Sequence, residues 1–155
     1  MRKKVLGLAA LLATCALGAS AAMVQLTTAE LADHATLIVA GTVENVTSYA
    51  PDAAGIIYSE AEVRVRDTVV GATAAEYVTV RYMGGEYGGL ALVIMEEPTF
   101  TVAEDVVLFL AAVESGVYEC PDGVQSKLSV VDGTVLPAGK TLNQYLAEVA
   151  AAAGR

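Results

Sequence analysis

Apolar positions along the chain follow patterns that predict strands of two kinds. Residues 57–67 read IYSEAEVRVRD, so Ala61, Val63 and Val65 alternate with charged side chains. An alternation of period two predicts a strand with one face buried and the other in water. Residues 36–46 begin as a continuous apolar, β-branched run, which is typical of a strand buried on both faces. Residues 106–113 predict another buried strand.

Turn residues separate the remaining extended segments, as at Pro121-Asp122-Gly123 and Asp132-Gly133. The remaining predicted strands are residues 77–83, 90–95, 117–120, 127–131 and 134–136. No helical crossover separates consecutive strands, so we expect an antiparallel sheet that curls into a small barrel or sandwich. Gly41, in the middle of the first strand, predicts a bulge or a bend.

Two helices flank the strands. Thr27 to Glu30 has the spacing of a capping box and begins a short helix, 28–35. From Thr141 onward, apolar residues fall on one helical face and predict a second helix over 141–153. The expected fold is therefore mainly β: a small antiparallel OB-like barrel with a core over 27–136, a short N-terminal helix and a C-terminal helix.

The first 21 residues have the layout of a secretory signal peptide. A basic start, residues 2–4, precedes an apolar run, residues 5–17, that is too short to span a bilayer. Small residues follow, so we expect cleavage after Ala21 or Ala22. The prediction is a secreted or periplasmic protein, with 22–155 as a single β-barrel domain and no later membrane span. One alternative is a lipoprotein signal whose acylated Cys15 anchors the domain to a membrane; the other is a buried N-terminal helix.

Charge narrows the range of partners. The chain has 18 acidic and 9 basic residues, and three of the basic ones lie within the predicted signal. The mature domain therefore holds 6 basic against 18 acidic residues, or −12. Such a surface repels phosphate backbones and anionic lipid, which argues against nucleic acid or membrane binding. Cys120 is the one cysteine left after cleavage; we interpret it as a small buried hydrophobe, with a free thiol or an intermolecular link as alternatives.

Candidate chemical groups are few. His34 is the single histidine, near the end of the first helix, where it can bond a last-turn carbonyl. One histidine without a cysteine cluster does not form the usual transition-metal site. The doublets Glu96-Glu97 and Glu104-Asp105 point to opposite faces of a strand, so neither forms a catalytic dyad by itself. We expect no catalytic, cofactor-binding or metal-binding residues, and no enzyme activity.

The stretch MGGEYGG, residues 83–89, is the most distinctive in the chain. A strand follows it rather than a helix, and no basic residue lies between Arg81 and Lys127, so a phosphate or dinucleotide loop is excluded. One interpretation is structural: the glycines form a wide hairpin or a barrel corner. The other is an exposed loop that contacts a partner. The candidate contact residues are Gly84, Gly85, Glu86, Tyr87, Gly88 and Gly89.

Several segments together resemble a known family. They are TTAELADHATLIVAGTVENV, IIYSEAEVRVRDTVVG, VTVRYMGGEYGG, EEPTFTVAEDVVLFL and GVQSKLSVVDG, within residues 27–133. The chain resembles secreted bacterial domains, some of them associated with matrixin-type metalloproteases. The order of its strands resembles the netrin-like OB barrel of tissue inhibitors of metalloproteinases. The resemblance implies a five-stranded Greek-key barrel with flanking helices.

The chain also departs from those inhibitors. They chelate the protease zinc through an N-terminal cysteine, whereas this chain has Ala22 there and no cysteine before Cys120. Their disulfides are absent too. Val70-Gly71 stands where the bacterial relatives have lysine-glycine, and Gln125-Ser126-Lys127 stands where they have glutamine-glycine-lysine. Inhibition by zinc chelation is therefore not carried over.

Three functions fit these features. The first is an exported, non-enzymatic barrel module, a monomer or weak oligomer, that binds another protein, with an extracellular protease as one candidate. The second is an OB barrel for a small ligand or an oligosaccharide, against which the chain has no tryptophan and only two phenylalanines. The third is a hydrolase that uses Glu or Asp residues.

Overall fold

The computed structural model describes residues 23–73 and 75–154. The predicted signal peptide, 1–21, and the alternative lipidation at Cys15 lie outside these residues. The elements, in chain order, are α1 (Thr28–His34), β1 (Leu37–Ser48), β2 (Tyr58–Val70), β3 (Tyr77–Met83), β4 (Gly85–Tyr87), β5 (Leu90–Leu92), β6 (Asp105–Glu114), β7 (Val117–Glu119), a 3-10 turn (Gly123–Ser126), β8 (Lys127–Val131), β9 (Thr134–Leu136), β10 (Lys140–Thr141) and α2 (Leu142–Ala153).

Five strands form a closed barrel in the order β1-β2-β3-β7-β6, which returns to β1. The pairing of β3 with β7 is parallel, and every other pairing is antiparallel. The prediction of a wholly antiparallel sheet is therefore wrong at this one pair, because β7 turns back from β6 and so runs in the direction of β3. Strands β8, β9 and β10 extend the sheet from β6. The mainly β, OB-like class with one short N-terminal and one C-terminal helix is confirmed.

The structure has two hydrophobic cores, one inside the barrel and one between the barrel and the helices, and a strand that faces both is buried on both faces. Leu37, Val39 and Val43 of β1 point into the barrel, whereas Ile38 and Ala40 pack in a second layer beneath the helices. Strand β6 divides its side chains in the same way. Both strands are thus buried on both faces, as their continuous apolar runs predict. The second layer contains Leu31, Phe109, Leu128, Val135, Tyr145 and Val149.

The alternating strand, β2, has its charged face in water. Arg64 lies 2.9 Å from Glu44 and Arg81 lies 2.9 Å from Glu60, so charges of opposite sign pair across neighbouring strands. At Gly41 the register of β1 against β2 shifts, and a Cβ there would lie 2.4 Å from the Arg64 carbonyl oxygen. The predicted bulge is confirmed. The two backbones approach closely there because glycine has no Cβ.

Both helices begin where their caps predict. Thr27 with Glu30, and Thr141 with Gln144, form reciprocal capping boxes. The first helix ends at His34 because Ala35 is already extended, at φ −91° and ψ 140°. Among the described residues, neither helix has the length and hydropathy that a membrane crossing requires.

Candidate functional site

The stretch MGGEYGG forms a two-stranded hairpin outside the barrel sheet. Strand β4 pairs with β5, and Tyr87 lies directly opposite Leu90. Gly88 and Gly89 connect the strands with φ of 57° and 81°. Two consecutive positive φ values define the tight type I′ turn, which favours glycine at both positions. The glycines therefore form a tight hairpin, in place of the wide hairpin or barrel corner that the structural interpretation predicted.

The first two glycines attach this hairpin to the barrel. Gly85 has φ of 122°, and a Cβ there would lie 2.2 Å from the Ser59 hydroxyl and 2.5 Å from the Ser48 hydroxyl. The Ser59 hydroxyl donates a 2.6 Å hydrogen bond to the Gly84 carbonyl. Gly84 is buried and Gly85 is half-buried. These two candidate contact residues thus hold the hairpin in place, and of the two only Gly85 keeps part of its surface in solvent.

The outer half of the hairpin is exposed. Glu86 and Tyr87 lie in solvent, as do Gly88 and Gly89. The apolar side chains that follow are exposed as well: 60% at Leu90, 77% at Val93 and 85% at Met95. We call Tyr87, Leu90, Val93 and Met95 the hairpin ridge.

Sequence reasoning missed three residues of the ridge. Residues 90–95 read as one apolar strand, but β5 ends at Leu92. A turn follows, in which the Glu97 amide bonds the Ile94 carbonyl, and the chain then returns to place Phe100 in the barrel core. No local signal separates an apolar run in a core from one on a hairpin, because both consist of the same residue types.

The edges of this hairpin differ from those of the hairpin β8–β9. That second hairpin has the same turn geometry, with φ of 48° at Asp132 and 74° at Gly133. Its strands are covered, since β8 pairs with β6 and β9 pairs with β10. Within the part of the chain that the structure describes, β4 and β5 pair with each other and with no third strand. Their outer edges therefore lack the neighbouring strand that covers each edge of the hairpin β8–β9.

A cavity of about 260 Å³ lies between the hairpin and the end of the barrel. Val46, Leu92 and the buried rings of Tyr82 and Phe100 line it. The two ring centroids are 5.1 Å apart, with the planes inclined at 46°. This aromatic pair belongs to the barrel core and forms one wall of the cavity beneath the hairpin.

The other polar candidates have structural partners. The imidazole Nδ1 of His34 lies 2.8 Å from the Asp122 carboxylate, so the expected bond to a last-turn carbonyl is wrong. That partner is 88 residues away and is brought near by the fold. Glu104 accepts hydrogen bonds from Lys127 at 2.6 Å and from Ser129 at 2.8 Å. Across 23–73 and 75–154, no three His, Cys, Asp or Glu side chains converge to hold a metal ion.

Cys120 is half-buried against the barrel core. Burial raises the pKa of its thiol to about 12, and the nearby Glu97 carboxylate acts in the same direction. The thiol is therefore protonated at neutral pH and contributes as a small apolar group.

In comparisons with known proteins, no family model matches the chain, and a search of curated proteins returns no match. The class of the protein, a mainly β OB-like barrel, therefore rests on its strand order. The netrin-like resemblance remains a prediction.

Proposed function

We propose that the protein is an exported, non-enzymatic barrel module that binds another protein through the hairpin ridge. One observation carries this proposal: a hairpin that pairs with no third strand among the described residues displays large apolar side chains in solvent. Exposed strand edges pair readily with an added strand, and proteins usually cover or charge them. Neither β4 nor β5 contains proline or lysine, the residues that commonly block such pairing, and Glu86 is the one charged residue of the two strands.

The chemistry of the ridge favours a protein partner. An extended segment of a partner would pair with a hairpin edge through main-chain hydrogen bonds and place alternate side chains against the apolar ridge. Tyr87 adds an amphipathic ring of the kind that is enriched at interfaces. The signal-like N-terminus supports export as part of this proposal, and the family resemblance makes an extracellular protease one candidate partner.

The other two functions have less support. The cavity beneath the hairpin offers no exposed ring on which an oligosaccharide could stack, because the rings that line it, Tyr82 and Phe100, are buried. The doublet Glu104-Asp105 does not supply the free, facing acids of a hydrolase, because Glu104 accepts hydrogen bonds from Lys127 and Ser129 and Asp105 accepts one from Thr42.

A capture experiment with matched baits tests the proposal. The full chain, processed by its producing cell and tagged at the C-terminus, is immobilised and exposed to that cell's envelope and secreted proteins. A second bait has the ridge changes Leu90→Ser and Val93→Ser. A third has the same residue types changed on the covered hairpin, Val131→Ser and Leu136→Ser, where the two side chains are 51% and 45% exposed.

We expect one protein that the native and Val131/Leu136 baits retain and that the ridge bait loses at least tenfold. Circular dichroism of the three baits would show the same fold. Equal retention by all three baits would contradict the ridge as the contact surface.

A further inference from the structure

A second cavity is a neighbour of the one beneath the hairpin. Its volume is about 270 Å³, and strands β2, β3, β6 and β7 contribute to it. Tyr82 and Met83 line this cavity as well as the one beneath the hairpin, so the two are neighbours. A partner that lies along the hairpin would pass close to its mouth.

The walls of this cavity combine apolar surface with two carboxylates. Tyr58, Met83 and Val113 provide the apolar part. Glu97 and Glu119 provide the carboxylates, and within the described residues neither forms an ion pair with a basic side chain. Burial raises the pKa of Glu97, and the charge of Glu119 adds to this effect, while the Met83 backbone amide opposes it. A bound cation would relieve this mutual repulsion.

Arg81 also lines the cavity, but its charge is already compensated. Its Nη2 atom lies 2.9 Å from a carboxylate oxygen of Glu60 and 2.9 Å from one of Glu114. The other titratable groups in the lining are the hydroxyls of Tyr58 and Tyr82 and the protonated thiol of Cys120. The cavity thus holds two carboxylates that no basic side chain of the described residues pairs with.

We propose that this cavity binds the side chain of a lysine or arginine of the protein partner. This assignment rests on the proposed function, because the ridge would hold the partner beside the cavity. The aliphatic stem would lie against Met83 and Val113, and the charged head would meet Glu97 and Glu119. Long basic side chains bind in this divided way, with an apolar stem and a polar end.

Size and charge both support this occupant. Pockets for drug-sized ligands usually measure about 300–1,000 Å³, so 270 Å³ suits a single side chain better. The strongly acidic mature surface favours a basic partner. Arginine should bind more tightly than lysine, because its planar group can stack on Tyr58 and bond a carboxylate at two points.

Titration with a minimal probe tests the cavity without the partner. The processed full chain, labelled with nitrogen-15, is titrated with Nα-acetyl-L-arginine amide and, separately, with the neutral isostere Nα-acetyl-L-citrulline amide. We expect saturable shifts of the amide signals of Met83, Glu97 and Cys120 with the arginine probe alone. Glu97→Gln with Glu119→Gln should weaken its binding at least tenfold. The matched control, Glu62→Gln with Glu76→Gln, should leave it within twofold.

The site would be overturned if the arginine probe caused no specific shifts, or if both double variants weakened its binding equally. Either result is independent of what the ridge bait shows in the capture experiment. The same Glu97/Glu119 variant then serves as a capture bait. A tenfold loss of the partner would support a partner side chain as the occupant. Unchanged capture, together with binding of the probe, would overturn that part of the proposal and assign the cavity to a free organic cation. Dispersed amide spectra of the variants exclude unfolding as the cause.

Discussion

The hydroxyl oxygens of Ser48 and Ser59 lie 2.7 Å apart, directly beneath the backbone of Gly85. Ser59 uses its one proton for the Gly84 carbonyl, so Ser48 is the donor between the two hydroxyls. Ser48 ends β1 and Ser59 lies at the start of β2. The hairpin is therefore attached to the first strand pair of the barrel through a small polar network.

Gly85→Ala should separate the hairpin from this network. The new methyl group would meet both hydroxyls, and φ of 122° is unfavourable for alanine. We expect a loss of about 3 kcal/mol in the free energy of unfolding, measured with urea. Gly88→Ala has open space around it and should cost about 1 kcal/mol, from backbone strain alone. Equal losses would contradict the close packing at Gly85.

Ser59→Ala tests the polar half of the same network. Ser59 is fully buried, and its removal leaves the Gly84 carbonyl without its hydroxyl donor. The free energy of unfolding should fall by about 1–3 kcal/mol. Ser115→Ala, at an exposed turn, is the control and should change it by less than about 0.5 kcal/mol.

The strands of the barrel were predictable because burial on one or both faces determines the pattern of apolar and polar residues along a strand. The alternation in 57–67 and the apolar start of 36–46 each match a strand whose neighbours impose that pattern. The hairpin ridge was not predictable, because Leu90, Val93 and Met95 are as apolar as a core strand. The second cavity could not be predicted from the sequence either, for a different reason. Its carboxylates, Glu97 and Glu119, come from separate segments that meet only in the folded chain.

Acid should weaken the interaction between Glu60 and its neighbours. The Tyr49 hydroxyl, 2.8 Å away, and the Arg81 guanidinium hold the pKa of Glu60 below its ordinary value. The stabilisation is therefore present above the carboxyl pKa of the unfolded chain, about 4.3, and is lost as pH falls through the lower pKa of the folded state. Urea unfolding of the native chain and of Glu60→Gln, from pH 7 to pH 3, should show a stability difference that shrinks toward acid. A difference that is constant with pH would contradict the pairing.

Cys120 should resist alkylation in the folded protein. Burial raises its pKa to about 12, so little thiolate is present at pH 8. Iodoacetamide should react at least about 100-fold more slowly with the folded chain than with the chain in urea, as followed by mass spectrometry. Similar rates in both states would show that the thiol is exposed.

Site-specific photo-crosslinking tests the central claim, that the hairpin ridge is the contact for a partner protein. Benzoylphenylalanine replaces Val93 on the ridge in one chain and Val131 on the covered hairpin in another, and both are irradiated in the producing cell. We predict one crosslinked protein from position 93, none from position 131, and loss of the product when Leu90→Ser is added. Crosslinks of equal yield from both positions, or none from position 93, would contradict the claim.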